Sequence, residues 1–298
     1  LDNGEGVADD VRNRPAVLFN DGTGWEVFYQ YEEGLLDPLS PPDNVRLTGI
    51  RNGPLLLYGM GIECGVRFIE ETGSVCHGDL TSLLANTGQL CLFYAFAVGE
   101  DLVYGVSESG RVFEYRENTW TETIITPRPV GDVNAFGLWA DGEMLVVGAN
   151  DQQIFIRKEG ETNFELQSGV PVGNYSEVWV LSADNIFAAN SAGQLVHYDG
   201  TGWSVAWSSD AEDCRTIYGM WGVGDTLYFI TRNAFFKWTE SGVETVAQWP
   251  CDERPYFTNI WGNSATEVFL GVHDSQYQGY DCGAVFLVWY DGTHIRQL

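Results

Sequence analysis

The sequence predicts an all-β protein, a β-propeller of four-stranded antiparallel blades, on three observations. First, residues 176–207 hold four short runs rich in Val, Ile, Trp, Tyr and Phe, separated by Ala-Asp-Asn, Asn-Ser-Ala-Gly and Asp-Gly-Thr-Gly. Those separators are turn chemistry, so the stretch spells a four-stranded meander. Second, the stretch recurs: a key first-strand position falls at Ile50, Phe96, Trp139, Trp179, Trp221 and Trp261, at spacings of 46, 43, 40, 42 and 40 residues. A lone meander cannot bury both of its faces, and copies at this period imply blades stacked around an axis. Third, 44% hydrophobic residues, 14% aromatics and 35 glycines supply a large core and many tight turns.

Taken in order, residues 1–14 read as an acidic tail and 15–298 as one propeller domain. Within 15–30, Asn20-Asp-Gly-Thr-Gly-Trp25 repeats Tyr198-Asp-Gly-Thr-Gly-Trp203, which makes this segment a hairpin without its first two strands. Gly34, Pro38, Pro41 and Pro42 mark residues 31–44 as a connection. Six repeats follow at about 45–90, 91–130, 131–172, 173–212, 213–252 and 253–298. Six blades is therefore the expected count; seven would require the leading hairpin to borrow two inner strands from elsewhere. The repeated aromatics read as packing between blades, where flat side chains fill the wedge between twisted sheets. Asp-Gly between two strands reads as a tight hairpin turn with φ > 0 at the glycine.

The chain carries 42 acidic against 15 basic residues, a formal charge of −27, and its only lysines are Lys158 and Lys237. Phosphate backbones and anionic membranes would be repelled, which excludes nucleic acid as a partner. Three uses of the charge compete: solubility in a secreted protein, adaptation to a salty medium, and binding of divalent cations or a cationic partner. No apolar run approaches the roughly 20 residues of a spanning helix, so no membrane insertion is expected. A start at Leu1 points to processing or trimming, with a signal peptide or lipid anchor upstream as an open alternative.

The pattern Trp-Gly, Val-Phe-x-x-Gly, then Gly-x-x-x-x-Tyr-Asp-Gly-x-x-Trp resembles the repeat of secreted bacterial β-propeller proteins, many of them lipoproteins, akin in style to the Asp-box (BNR) repeats of sialidases. Residues 176–207 match best, followed by 259–292 and 15–30. An Asp-box reads roughly Ser-x-Asp-x-Gly-x-Thr-Trp, its Asp stabilising a hairpin turn, and the turns at Asp21, Asp199 and Asp291 are degenerate versions of it. The resemblance implies a fold, an extracellular or outer-surface location and a sialidase-like glycoside hydrolase as one alternative activity. A sialidase would need an arginine triad and a Tyr/Glu nucleophile pair. Arg46, Arg67, Arg215, Arg232 and Arg254 sit in no motif that maps onto that triad.

Strands of a blade alternate in direction, so connections between blades and second-to-third-strand loops share one face. Five cysteines fall there: Cys64, Cys91, Cys214, Cys251 and Cys282, with Cys76 in a strand region. None forms a Cys-x-x-Cys motif. The expected pairs are Cys214 with Cys251, which open neighbouring blades, then Cys64 with Cys282, adjacent if the ring closes at six, and Cys76 with Cys91 by default. Unpaired buried thiols are the alternative, whereas disulfides would place the protein outside the cytoplasm.

Asp210, Glu212, Asp213, Asp252, Glu253, Asp274 and Asp281 lie in three successive loops of that face and are the candidate binding residues. Of these, Asp210, Asp213, Asp252, Asp274 and Asp281 could supply oxygen ligands to calcium, against the plainer reading of solvated loop acids. His77, His197, His273 and His294 have no zinc spacing. His197, beside Tyr198, reads as a packed or half-exposed strand residue. No Gly-x-Ser-x-Gly elbow or phosphate-cradling glycine loop is present, and no catalytic residue is assigned. Asn174-Tyr-Ser176 is a formal glycosylation sequon.

The resulting expectation is a non-enzymatic extracellular or cell-surface propeller, binding a partner protein or copies of itself through the acidic loop face. No cofactor is expected beyond calcium. Carbohydrate binding, with Trp and Tyr of that face stacking on sugars, is the alternative, and a hydrolase built on the same site is the third.

Overall fold

The computed structural model describes residues 16–20, 25–30, 45–50, 53–59, 66–70, 73–75, 80, 83, 94–99, 102–107, 110–125, 135–210, 214–251, 255–274 and 284–297. The chain splits into two compact units, residues 1–105 with 113–122 and residues 106–112 with 123–298. Among the described residues, strands form one two-stranded and six four-stranded sheets of neighbours in chain order, antiparallel in the two-stranded sheet and in the first and third to sixth four-stranded ones. The two-stranded sheet is β1 (Ala16–Asn20) with β2 (Trp25–Gln30).

The four-stranded sheets follow in sequence. The first holds β3 (Val45–Ile50), β4 (Gly53–Gly59), β5 (Val66–Glu70) and β6 (Gly73–Val75), and the second β7 (Tyr94–Gly99), β8 (Leu102–Ser107), β9 (Arg111–Arg116) and β10 (Thr119–Ile124). The third holds β11 (Ala135–Ala140), β12 (Met144–Ala149), β13 (Ile154–Lys158) and β14 (Glu165–Leu166). The fourth is β15 (Tyr175–Ser182), β16 (Asn185–Asn190), β17 (Gln194–Tyr198) and β18 (Trp203–Ser208). The fifth is β19 (Ile217–Val223), β20 (Thr226–Thr231), β21 (Ala234–Thr239) and β22 (Gly242–Gln248), and the sixth β23 (Tyr256–Ser264), β24 (Glu267–Asp274), β25 (Ala284–Tyr290) and β26 (Ile295–Gln297).

In the larger unit, β11 packs on β15, β15 on β19 and β19 on β23. Strand alternation explains why. Leu227 and Phe229 of β20 join a cluster with Phe187, Ala189 and Leu195 of the fourth sheet. Tyr228 and Ile230, one residue out of phase, join another with Phe257, Val268 and Leu270 of the sixth. Period-two alternation thus sends successive side chains into different cores, and Leu227–Ile230 form an unbroken apolar run because neither face of β20 meets water there. Burying each such aromatic or aliphatic side chain stabilises by about 1.5–3 kcal/mol. Tyr228 keeps its polar tip paired, its hydroxyl donating to the Ala265 carbonyl at 3.0 Å.

The repeated tryptophans are packing residues, with one exception. Trp139 and Trp221 are buried, and Trp179 is partly buried against both clusters. Trp179 lies against Gly222 of the next sheet, and Trp221 against Gly262 of the sheet after. The Trp-Gly pair is therefore a contact between repeats: glycine leaves the room that the preceding repeat's indole occupies. Trp261 corrects the sequence expectation, because it is 51% exposed and, among the described residues, its ring stacks on Phe269 of its own sheet at 5.4 Å. The side chains of Ile50 and Phe96 lie outside the described ones.

The Asp-Gly turns are longer than two-residue hairpins. Between β17 and β18, Asp199 Oδ1 accepts the Thr201 and Gly202 amides and the Thr201 hydroxyl at 2.7–3.0 Å, with Gly200 at φ 87°. Between β25 and β26, Asp291 Oδ1 accepts from the Thr293 amide and hydroxyl and the His294 amide at 2.7–2.9 Å, with Gly292 at φ 93°. The carboxylate holds each loop by replacing the missing ladder bonds.

Candidate functional site

Each first strand of the larger unit carries the same irregularity. The register shifts between Ala135 and Gly137, Tyr175 and Glu177, Ile217 and Gly219, and Phe257 and Asn259. The residues thrown out of the ladder are Phe136, Ser176, Tyr218 and Thr258, each at the third position before the repeat's key tryptophan. A bulge re-aims a side chain, and these four sit at the strand end that receives the connection from the preceding sheet. Tyr218 is consequently 51% exposed, and Thr258 is exposed too.

Around Tyr218 the loop end of the fifth and sixth sheets gathers a distinct set of side chains. Ile217 pairs with Thr231, which places Arg232 beside the Tyr218 bulge. The Arg232 carbonyl accepts the Phe257 amide at 2.9 Å and so ties the fifth sheet to the start of β23. Arg232 Cζ lies 4.7 Å from the centroid of the Tyr256 ring. That ring in turn lies 4.9 Å from the His273 imidazole, its cross-strand neighbour. The result is a guanidinium–phenol–imidazole stack, exposed at Arg232 and half-buried at Tyr256 and His273. A cation held over a tyrosine face is stabilised by about 0.5–1 kcal/mol at an exposed site, so the stack arrives preformed.

The floor of this site is braced. Asn233 Nδ2 donates to the Trp249 carbonyl at 2.7 Å, the Trp249 amide donates back to the Asn233 carbonyl at 3.1 Å, and the Thr231 hydroxyl donates to Asn233 Oδ1 at 3.2 Å. Trp249 packs on Phe257 with centroids 4.5 Å apart. Cys214 and Cys251 form a disulfide with Cα atoms 5.8 Å apart, joining the connections that precede the fifth and sixth sheets. The corresponding end of the third and fourth sheets is occupied differently. There Asn174 accepts the Asp151 amide and receives the Ser191 amide on its carbonyl. The Asn190 side chain is engaged with Val172, Ala192 and Gln194. That end is knitted by amides, whereas the end at sheets five and six presents aromatic and cationic groups.

Of the acidic residues expected here, Asp210 is exposed in the connection to the fifth sheet. Asp274 ends β24 opposite Ala284, with only its backbone described. Glu212, Asp213, Asp252, Glu253 and Asp281 lie outside the described residues, as do Cys64, Cys76, Cys91 and Cys282. Among the described residues no three His, Cys, Asp or Glu side chains converge as a metal site. His197 is packed in the strands, its ring stacked on Phe187 at 4.4 Å and its Nε2–H donating to Asn185 Oδ1 at 2.7 Å. The sequence offers Arg232 only among arginines that map onto no triad and does not mark Tyr256 or Tyr218; the signal for Tyr218 is its place in the repeat, three residues before Trp221.

No family model matches the chain, and no curated protein matches it in sequence. In structure it is similar to the computationally designed protein Ika8, with a TM-score of 0.52 and 13% identity over 85% of this chain and 70% of that one. It is also similar to the extracellular domain of BT4673 from B. thetaiotaomicron in two crystal structures, each with a TM-score of 0.58. Identities there are 10% and 9%, covering 89% and 86% of this chain. The chain spans about a third of the length of those two structures, 34% and 33%. At such identities the likeness shows the fold: an all-β repeat protein whose four-stranded antiparallel sheets are of the propeller-blade kind.

Proposed function

We propose that this protein is a non-enzymatic extracellular or cell-surface β-propeller that binds a partner protein through the loop end of its fifth and sixth sheets. The observation that carries the reading is the Arg232–Tyr256–His273 stack beside the half-exposed Tyr218. Tyrosine and arginine are the side chains that most often anchor interfaces, because each offers large contact area together with directed hydrogen bonding. The Cys214–Cys251 disulfide supports an oxidising compartment, and the extracellular origin of the BT4673 domain is compatible with it. No helix among the described residues is long and apolar enough to cross a membrane. The formal charge of −27 would favour a partner with basic residues at its rim, or one bridged by calcium.

The test is capture of extracellular proteins by the wild type and by a Tyr218→Ala, Arg232→Ala double variant with unchanged thermal unfolding. Loss of the captured species in the variant supports the reading, and equal capture by both overturns it. The exposed Tyr218 ring also favours a second reading, carbohydrate binding, which a glycan array run on the same two proteins would select. Light scattering in calcium and in EDTA reads whether the acidic loops bridge copies of the chain. The six four-stranded sheets further support a propeller closed at six blades, which a Cys64–Cys282 disulfide found by peptide mapping would establish.

A further inference from the structure

In the fifth sheet one cross-strand row departs from the pattern of its neighbours. It runs Trp221↔Tyr228, Tyr228↔Lys237 and Lys237↔Glu244 across all four strands. The same row places Ile156, His197 and Trp289 on the third strands of the third, fourth and sixth sheets. Each of those is a packing residue: Ile156 is buried, His197 stacks on Phe187, and Trp289 is half-buried with Arg296 against its ring. Lys237, one of only two lysines in the chain, puts an ammonium at that position and stays half-buried there. A charge where the repeat calls for packing breaks a local rule, and such breaks gather at functional sites.

Beside Lys237 the sheet is hollow. A concavity of about 350 Å³ is lined by Lys237, Thr239, Ser241, Gly242, Val243 and Glu244. Small-molecule sites run from roughly 300 to 1,000 Å³, so this one takes a ligand of about one sugar ring. The turn that shapes it is the counterpart of those at Asp199 and Asp291, with Thr239 in place of the aspartate and its hydroxyl 2.8 Å from that of Ser241. A Cβ on Gly242 would meet nothing within 4 Å, which leaves the wall beside the turn open. Glu244 is the cross-strand partner of Lys237, yet among the described residues no ion pair joins the two. Burial raises the pKa of the Tyr290 phenol and the Glu244 carboxylate adds to the rise, so that charge reaches toward the sixth sheet.

We propose that this concavity binds a monosaccharide acid, its carboxylate on the Lys237 ammonium and its hydroxyls on Thr239, Ser241 and Glu244. The charges decide the class. A bare anion would meet the Glu244 carboxylate at the same mouth, and a neutral sugar would leave the ammonium without a counter-charge. A ligand that joins one carboxylate to a run of hydroxyls satisfies both groups, because Glu244 can only accept and Lys237 can only donate. Strand alternation puts the β21–β22 turn at the opposite end of the sheet from Tyr218 and Arg232. The site therefore stands or falls apart from the function proposed above.

The test acylates the whole protein with N-hydroxysuccinimidyl acetate and follows Lys237 and Lys158 by peptide mass spectrometry. Lys158, exposed on β13, is the internal reference. Sodium D-glucuronate at about 10 mM, roughly ten times a Kd on the order of 1 mM for so small a ligand, should slow acylation of Lys237 about tenfold and leave Lys158 unchanged. D-Glucose, sodium acetate and glycine betaine at the same concentration should each slow Lys237 less than about twofold. Glu244→Ala, with unchanged thermal unfolding, should lose the protection by glucuronate. Equal protection by acetate would reduce the concavity to a lysine that meets any anion, and equal protection by glycine betaine would assign it to a zwitterion. Either result, or no protection of Lys237 by glucuronate in the wild type, would overturn the proposal.

Discussion

A Cβ added to Gly262 would lie 2.9 Å from Cη2 and Cζ3 of Trp221 and 2.9 Å from the Glu267 carbonyl oxygen. Trp221 is only 6% exposed and belongs to the core between the fifth and sixth sheets, so the indole has little space into which to retreat. Gly262→Ala should therefore destabilise by about 1–3 kcal/mol, the usual cost of overpacking a dense interior. Denaturant titration reads the difference. An unchanged midpoint would mean that the Trp-Gly contact is not where these repeats are held together.

The Cys214–Cys251 disulfide closes a loop with a sequence separation of 37. Restricting the unfolded chain over that length stabilises by about 3–4 kcal/mol on the chain-entropy account. Reduction, or the double Cys214→Ser, Cys251→Ser change, should lower the unfolding temperature accordingly. Because the bond joins the connections before β19 and β23, it should also loosen the Arg232–Tyr256 stack, seen as faster amide exchange at the start of β23. Equal stability with and without reductant would count against a role for the bond in bracing this end.

Much of this was legible in sequence, and the remainder was not, for physical reasons. The Asp-Gly-Thr turns, the spaced tryptophans and the Cys214–Cys251 pair are local or periodic features, and periodicity survives in one dimension. The stack of Arg232, Tyr256 and His273 joins the ends of three strands, and its geometry depends on a cross-strand register that no single segment encodes. Tyr218 is exposed through a bulge, which changes the direction of one side chain without a marker in composition. Trp261 shares its repeat position with Trp221, yet Trp221 is buried against Gly262 of the following sheet while Trp261 is 51% exposed, a difference the shared position does not encode.

Acid should weaken the two Asp-Gly-Thr turns together. Hydrogen bonds from the Thr201 hydroxyl, the Thr201 amide and the Gly202 amide hold the Asp199 carboxyl down at about 2. Asp291 is held at about 2 by the His294 amide, by the hydroxyl and amide of Thr293, and by Arg296, whose Nη2 lies 3.0 Å away. Both values are depressed below the unfolded value of about 3.9. Their contribution is thus fully present above pH ~4 and lost as pH falls through about 2. The stability gap between the wild type and an Asp199→Ala, Asp291→Ala variant should narrow across that window. A gap constant from pH 5 to pH 2 would show that the carboxylates, as charged acceptors, do not hold these loops.

His197 responds to acid in the same direction by a different cause. Burial against Phe187 and Trp238 lowers its pKa, and the nearby Asp199 only partly opposes the shift. The folded protein therefore prefers the neutral ring, in which Nε2–H donates to Asn185 Oδ1. With a folded pKa below the unfolded value of about 6.5, the associated stability is present above that value and declines as pH falls through the folded pKa. An NMR titration should place the His197 midpoint below 6.5. His197→Gln retains a neutral donor and should remove that part of the acid-induced loss. A midpoint at or above 6.5 would mean that the imidazole reaches solvent far more freely than its stack on Phe187 allows.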